Sequence, residues 1–66
     1  MERIDGFLSG KVQAEWPGAL VVEAEPGAWE LRRPGEPPVS LGAAFKDARM
    51  AVYALIRAHR STKAGA

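Results

Sequence analysis

The sequence predicts an α+β fold, in which an antiparallel three- or four-stranded β-meander is followed by one C-terminal amphipathic helix packed on one sheet face. Three observations predict it. Pro-Gly pairs occur at residues 17-18, 26-27 and 34-35. Between them, apolar and polar residues alternate with a period of two, as in half-buried strands. After residue 41, apolar residues recur at intervals of three, four and seven, which indicates a helix.

The Pro-Gly pairs divide residues 7–41 into the predicted meander. Proline presets φ for the first central residue of a turn and glycine supplies the positive φ of the second, which suits a type II turn. Because that turn twists the wrong way for a tight hairpin, we expect looser loops of about three to five residues. Val21 is placed on the outer, acidic sheet face, and Pro38 starts a short edge strand. The predicted inner face comprises Val12, Ala14, Trp16, Leu20, Val22, Trp29 and Leu31.

The first 16 residues admit two interpretations. A lead-in over residues 1–6 followed by a strand gives the order β-β-β-β-α, and a helix containing Gly6 and Gly10 gives α-β-β-β-α. Each interior glycine costs a helix about 1 kcal/mol relative to alanine. We therefore favour the strand and keep the helix as the alternative.

The C-terminal helix is predicted over residues 42–60, with Ser40 as its N-cap and residues 61–66 as a frayed tail. Leu41, Phe45, Ala48, Val52, Leu55, Ile56 and His59 form its apolar side. At about 100° per residue, two further surfaces flank this side. The first, called here the basic stripe, comprises Lys46, Arg49, Tyr53, Arg57 and Arg60. The second, the alanine flank, comprises Ala44, Ala51, Ala54 and Ala58.

Length and composition indicate one small domain spanning residues 1–66. A chain of 66 residues has a core that is only just sufficient. Because it has no cysteine and a single histidine, disulfide scaffolds, zinc ribbons and thiol catalysis are excluded. The net charge of +1 conceals an acidic part, residues 1–42 at −3, and a basic part, residues 43–66 at +4.

The sequence shows no constellation for catalysis. His59 lies beside Arg57 and Arg60 on the apolar side of the helix, where a packing role is expected, and no phosphate-binding loop precedes the helix. We expect no enzymatic activity, no cofactor and no metal site. The first six residues lead into no apolar segment and no stretch approaches the length of a membrane span, so we expect a cytoplasmic protein without a membrane partner.

Two functions follow as hypotheses. The first is a homodimer that binds an unidentified protein partner. It would self-associate through the sheet edge, Val21 or the alanine flank, because a small core without disulfide bonds or a metal favours association. The second is nucleic-acid binding by the basic stripe, in which Tyr53 stacks on a base and the cations contact phosphates.

Two partial resemblances accompany these hypotheses. The segment "FKDARMAVYAL" resembles the last helix of double-stranded-RNA-binding domains, with Lys46, Ala48, Arg49, Ala51 and Ala54 at the matching positions. It covers about eleven residues. The loop with which that family enters the minor groove has no counterpart in "AEPGAW", and the sequence lacks a sound first helix. "LVVEAEPGAWELRR" followed by an amphipathic helix is similar to small antitoxin-like β-β-β-α modules, which implies a dimeric partner-binding protein.

Overall fold

The computed structural model describes residues 1–64, which form two helices and four strands. In chain order these are β1 (Arg3–Ile4), α1 (Gly6–Glu15), β2 (Leu20–Glu25), β3 (Ala28–Arg32), β4 (Val39–Gly42) and α2 (Phe45–Ala64). The strands form one antiparallel sheet in the order β1-β2-β3-β4. Helix α1 packs on β2, and α2 packs on β3 and β4, around a single apolar core. The predicted α+β class, with a C-terminal helix packed on an antiparallel sheet, is confirmed.

Helix α1 occupies the segment for which a strand was favoured, so that prediction was wrong and the helical alternative is correct. Asp5 caps the helix, because its Oδ2 accepts a hydrogen bond from the Leu8 N–H at 2.8 Å. Leu8 and Val12 are fully buried. Their burial offsets the intrinsic cost of Gly6 and Gly10, since tertiary packing supplies most of the stability of short helices. The predicted lead-in also contains β1.

Ser9 completes the pairing of β2 where β1 ends. Strand β1 pairs with β2 only through Arg3 and Ile4. Beyond it, the Asp5 N–H donates to the Val21 carbonyl at 2.9 Å. The Ser9 hydroxyl accepts from the Val21 N–H at 2.9 Å and donates to the Val21 carbonyl at 3.2 Å. The buried side chain of Ser9 therefore replaces a strand neighbour.

The register of β2 places Val21, not Val22, on the helix-covered face. Val21 lies opposite Leu31, and both are fully buried in the core. The predicted face of Val21 was wrong because residues 20, 22 and 24 are all apolar, which indicated that their side of β2 was the core face, whereas tertiary packing places Val21 in the core instead. Those predicted inner-face residues that do pack in or against the core are Val12, Trp16, Trp29 and Leu31. Those that do not are Ala14, which is exposed, and Leu20 and Val22, which lie on the opposite sheet face.

An ion-pair network lies on the opposite sheet face. Val22 is fully buried there although both helices lie on the other face. Arg32 on β3 pairs with Glu30 on the same strand, at 2.8 Å, and with Glu2, which precedes β1. Because β2 lies between β1 and β3, the Arg32 side chain crosses β2 on this face. Glu2 and then Glu30 raise the pKa of the Arg32 guanidinium.

The glycines of the three Pro-Gly pairs have the positive φ angles that the sequence predicted. Gly18, Gly27 and Gly35 have positive φ values of 86°, 83° and 75°. The expectation of longer loops was wrong for the turn between β2 and β3, because Glu25 pairs directly with Ala28 and leaves only Pro26 and Gly27 between them. The register shifts between Glu23 and Glu25. Such a bulge adds local twist and allows a tight turn.

Helix α2 begins and ends later than predicted. Gly42 has φ 115°, outside the helical region, and Ser40 pairs with Glu30 in β4 instead of capping the helix. The Ala44 carbonyl accepts the Ala48 N–H at 3.0 Å. Residues 61–64 are helical, which corrects the prediction that the tail frays there, and residues 65–66 lie outside the described part. Within residues 1–64, neither helix has the length and apolarity to cross a membrane.

Candidate nucleic-acid interface

The outward side of α2 carries the basic stripe as one continuous surface. The helix is unbroken over 20 residues, so the angular positions read from the sequence hold in the structure. Ala48, Val52 and Ile56 are buried against the sheet and α1. The predicted contact residues, which the structure leaves exposed, are Lys46, Arg49, Tyr53, Arg57 and Arg60.

The charges of the protein separate into two layers. The two helices together carry +4, and the strands and loops carry −3. The helical bases are Lys11, Lys46, Arg49, Arg57, Arg60 and Lys63, and the helical acids are Glu15 and Asp47. Because both helices lie on one sheet face, the basic part of the sequence becomes a basic side of the molecule.

Glu15 is paired at the junction of the two helices. Its side chain is 7% exposed, and its two oxygens contact the His59 Nδ1 at 2.8 Å and the Arg60 Nε at 2.9 Å. The hydrogen bonds from His59 and then from Arg60 lower the pKa of the Glu15 carboxyl. Glu15 is therefore ionised at neutral pH and its charge is offset locally. The same contacts fix the end of α1 against α2.

Tyr53 supplies an aromatic surface in the middle of the basic stripe. Tyr53 is 40% exposed, and the Arg49 guanidinium lies 5.8 Å from its ring centre. Tyr53, Arg57 and Arg60 line, with Ile56, a depression of about 320 Å³. In residues 1–64, Lys46, Arg49 and Arg57 form no ion pair. Their charges are available to an external anion.

Helix α1 adds a cation and an aromatic ring that the sequence analysis missed. Phe7, Lys11 and Glu15 are spaced by four residues and therefore follow one line along α1, whose last member contacts Arg60. Phe7 is 55% exposed, and the Lys11 Nζ lies 5.4 Å from its ring centre. They were missed because the segment was interpreted as a strand. Asp5 as an N-cap before the i, i+4 pair of Leu8 and Val12 was the signal for a helix.

The residues predicted for self-association do not share one surface. Val21 is fully buried inside the protein and is inaccessible to a second chain, which overturns its assignment to an outer face. Ala51 is half-buried and packs against the core. Ala44, Ala54 and Ala58 are exposed. Asp47, on the same flank, lies so close to Gly42 that a Cβ there would be 2.8 Å from the Asp47 Cβ. The alanine flank thus lies on the β4 side of α2.

In the part of the chain that the structure describes, no group of three or more His, Cys, Asp or Glu side chains could hold a metal ion. His59 packs with its ring centre 5.0 Å from that of Trp16, at 49°. Comparison with protein-family models, with curated proteins and with solved structures finds no match to this chain.

Proposed function

We propose that this chain is a non-enzymatic interaction module that binds nucleic acid through the basic stripe of α2, extended by Lys11 of α1. The separation of charge into a basic helical layer and an acidic sheet layer supports this proposal most directly. A polyanion that docks on the helices meets cations and avoids Glu2 and Glu30, which pair with Arg32 on the opposite sheet face. The resulting attraction is electrostatic and independent of base sequence.

The dimensions of the basic stripe suit several phosphates. From Lys46 to Arg57 the helix advances by about 16 Å, at 1.5 Å per residue. Duplex DNA presents one charge about every 1.7 Å of axis, so this length spans more phosphates than the stripe has cations. Tyr53, between the two ends, offers a ring on which a base of a single strand can stack, a contact of about 1–3 kcal/mol.

The architecture adds support to the resemblance of α2 to the last helix of double-stranded-RNA-binding domains. The first helix, which the sequence analysis found missing, is present as α1. The turn between β2 and β3 consists of Pro26 and Gly27 alone. The chain therefore still lacks a counterpart of the loop with which that family enters the minor groove. Duplex RNA therefore belongs among the ligands to be tested, beside single-stranded RNA and duplex DNA.

Fluorescence anisotropy with labelled duplex RNA, single-stranded RNA and duplex DNA tests the proposal. We expect affinity to fall steeply between about 50 and about 200 mM salt, because neutralised phosphates release counterions. Arg49→Glu should weaken binding and lower the salt slope by about one. Arg3→Glu is the matched control, because Arg3 is an exposed arginine on β1 and the substitution changes the net charge equally. The stronger test is Lys46→Glu combined with Arg49→Glu.

Two results would contradict nucleic-acid binding by the basic stripe. One is the absence of saturable binding to all three probes at low salt. The other is an equal loss of affinity in Arg49→Glu and Arg3→Glu, which would mean that net charge alone matters. Binding of all probes with similar affinity would indicate phosphate contact, and preference for the single strand would indicate stacking on Tyr53.

The second candidate function is self-association, through the edge of β4 and the exposed part of the alanine flank. Strand β4 is the last strand of the sheet, so one edge of its backbone has no neighbouring strand within residues 1–64. The alanine flank lies on the same side. Edge pairing between two copies would bring their α2 helices together where side chains are small, which permits close approach. This mode would support the hypothesis of a dimer that binds a protein partner.

Sedimentation equilibrium at low and high salt tests self-association. We expect a dimer that high salt does not dissociate, because the proposed interface is apolar and backbone-mediated. Ala54→Glu should dissociate it, and Ala14→Glu, at an exposed alanine of α1, should not. A monomer at every concentration, or equal effects of both substitutions, would contradict self-association through this edge.

A further inference from the structure

A pocket of about 370 Å³ lies at the end of the molecule where α1 stops, apart from the depression in the basic stripe. It is formed by the end of α1, the loop after β3 and a late turn of α2. Its size falls in the range of small-molecule sites, about 300–1,000 Å³. The residues that line it are Trp16, Pro17, Arg33, Pro34, Glu36 and His59.

Arg33 is the unusual member of this pocket. Its Nε is buried and has no hydrogen-bond partner within residues 1–64. The preceding residue shows the contrast, since Arg32 pairs with two carboxylates. A buried donor without a partner costs about 1–3 kcal/mol. The Nε is enclosed and out of reach of a ligand, whereas the two Nη atoms are neither enclosed nor bonded within residues 1–64. A ligand in the pocket would therefore bind the Nη atoms, and guanidinium binds best to an anionic acceptor.

The rest of the pocket is lined mainly by flat rings, of which three are apolar. The Trp16 ring lies 5.3 Å from the Arg33 guanidinium carbon and 5.0 Å from the His59 ring centre. Pro17 and Pro34 add two aliphatic rings to the lining. Glu36 is exposed and contributes the one acidic side chain of the lining, and its backbone N–H donates to the Arg33 carbonyl at 3.1 Å. Its negative charge repels an anion, so an anion binds only if its attraction to Arg33 exceeds this repulsion.

We propose that this pocket binds a small organic anion that carries a flat apolar group. The acidic group, a carboxylate or a phosphate, accepts hydrogen bonds from the Arg33 Nη atoms, and the flat group packs against Trp16 and the two prolines. The site uses none of the cations of the basic stripe. Loss of nucleic-acid binding and loss of this site are therefore separable results.

Titrations followed by NMR test the pocket, with phenyl phosphate, benzoate and inorganic phosphate as probes. We expect saturable shifts of the Arg33 Nε–H and Trp16 indole N–H resonances. Phenyl phosphate or benzoate should bind at least about tenfold more tightly than inorganic phosphate, a difference of about 1.4 kcal/mol, because only the aromatic probes use the apolar wall. The stronger aromatic probe identifies the preferred acidic group.

Substitutions assign the binding to Arg33. Arg33→Gln should weaken the better aromatic probe at least about tenfold. Arg33→Lys should also weaken it, because the ammonium group of lysine cannot form the paired hydrogen bonds of a planar guanidinium. Arg3→Gln, at an exposed arginine on β1 that lies outside this pocket and outside the basic stripe, is the matched control and should leave the affinity unchanged. Glu36→Gln should tighten binding by removing an opposing charge. Retained dispersion of the amide spectrum shows that each variant is folded.

Three outcomes would overturn the proposal. The first is the absence of saturable shifts with either aromatic probe. The second is an equal loss of affinity in Arg33→Gln and Arg3→Gln, which would indicate non-specific attraction. The third is weaker binding in Glu36→Gln, which would mean that the pocket prefers cationic groups.

Discussion

Helices α1 and α2 lie side by side on one sheet but are stabilised in different ways. Helix α2 has 20 residues, and its apolar side chains recur at helical spacing. Helix α1 has 10 residues, contains Gly6 and Gly10, and buries only Leu8, Ser9 and Val12. A helix of that length is marginal in isolation. Its formation therefore depends on contacts with the rest of the fold.

The contacts of α1 are few and specific. Asp5 caps its first turn, Ser9 bonds β2 in its middle, and Glu15 bonds α2 at its end. The comparison shows two ways to specify a helix. The periodicity of its own sequence specifies α2, whereas polar contacts with residues outside the helix stabilise α1. Substitutions at the polar contacts of α1 should therefore cost more than their small side chains suggest.

Ser9→Ala should have the largest effect of the substitutions that compare the two helices. It leaves the buried N–H of Val21 without a partner and removes the bond to the Val21 carbonyl. We expect a loss of about 1–3 kcal/mol in the free energy of unfolding, measured by urea denaturation. Ser40→Ala, at an exposed serine of β4, is the control. Equal losses in both variants would show that Ser9 is not a structural contact.

Gly10→Ala should stabilise α1. No atom outside the helix lies within 4 Å of the Cβ that would be added at Gly10. The gain should be about 0.4–1 kcal/mol, because alanine restricts the unfolded chain and favours the helix. Gly42→Ala is the contrasting variant and should destabilise the fold, since Gly42 has φ 115° and its added Cβ would lie 2.8 Å from the Asp47 Cβ. A loss of stability in Gly10→Ala would contradict the description of α1.

Glu15→Gln should have the smallest effect on stability, and this effect should depend on pH. The pKa of Glu15 is lower in the folded protein than its ordinary value of 4.5, because His59 and Arg60 bond the carboxylate. Its stabilising contribution is thus complete above about pH 4.5 and is lost as the pH falls through the folded pKa. The difference in Tm between the wild type and Glu15→Gln should shrink on acidification. Glu25→Gln, at an exposed acid, is the control. A difference that stayed constant with pH would rule out this coupling.

The sequence predicted strands β2 to β4, the positions of the Pro-Gly turns and α2, because each has a local pattern. Pro-Gly pairs set the turns, and a 3.6-residue period sets the helix with its basic stripe. The face of β2 could not be read from its sequence, because Val21 and Val22 are both apolar and both buried. The pocket around Arg33 was also invisible, since it joins Trp16, Arg33 and His59 from three distant segments. Such pairings depend on tertiary packing alone.

The ion pairs of Arg32 make the first residues of the chain part of its protection against aggregation. Glu2 pairs with Arg32 on the outer face of the sheet, Ile4 lies beside Val22 on that face, and β1 occupies the edge of β2. Removal of residues 1–4 would uncover Val22 and leave a hydrophobic strand with an open edge, which favours strand-to-strand stacking between molecules. A shortened version should therefore be lost to inclusion bodies during expression, whereas a tag joined ahead of Met1, which is fully exposed, should be tolerated.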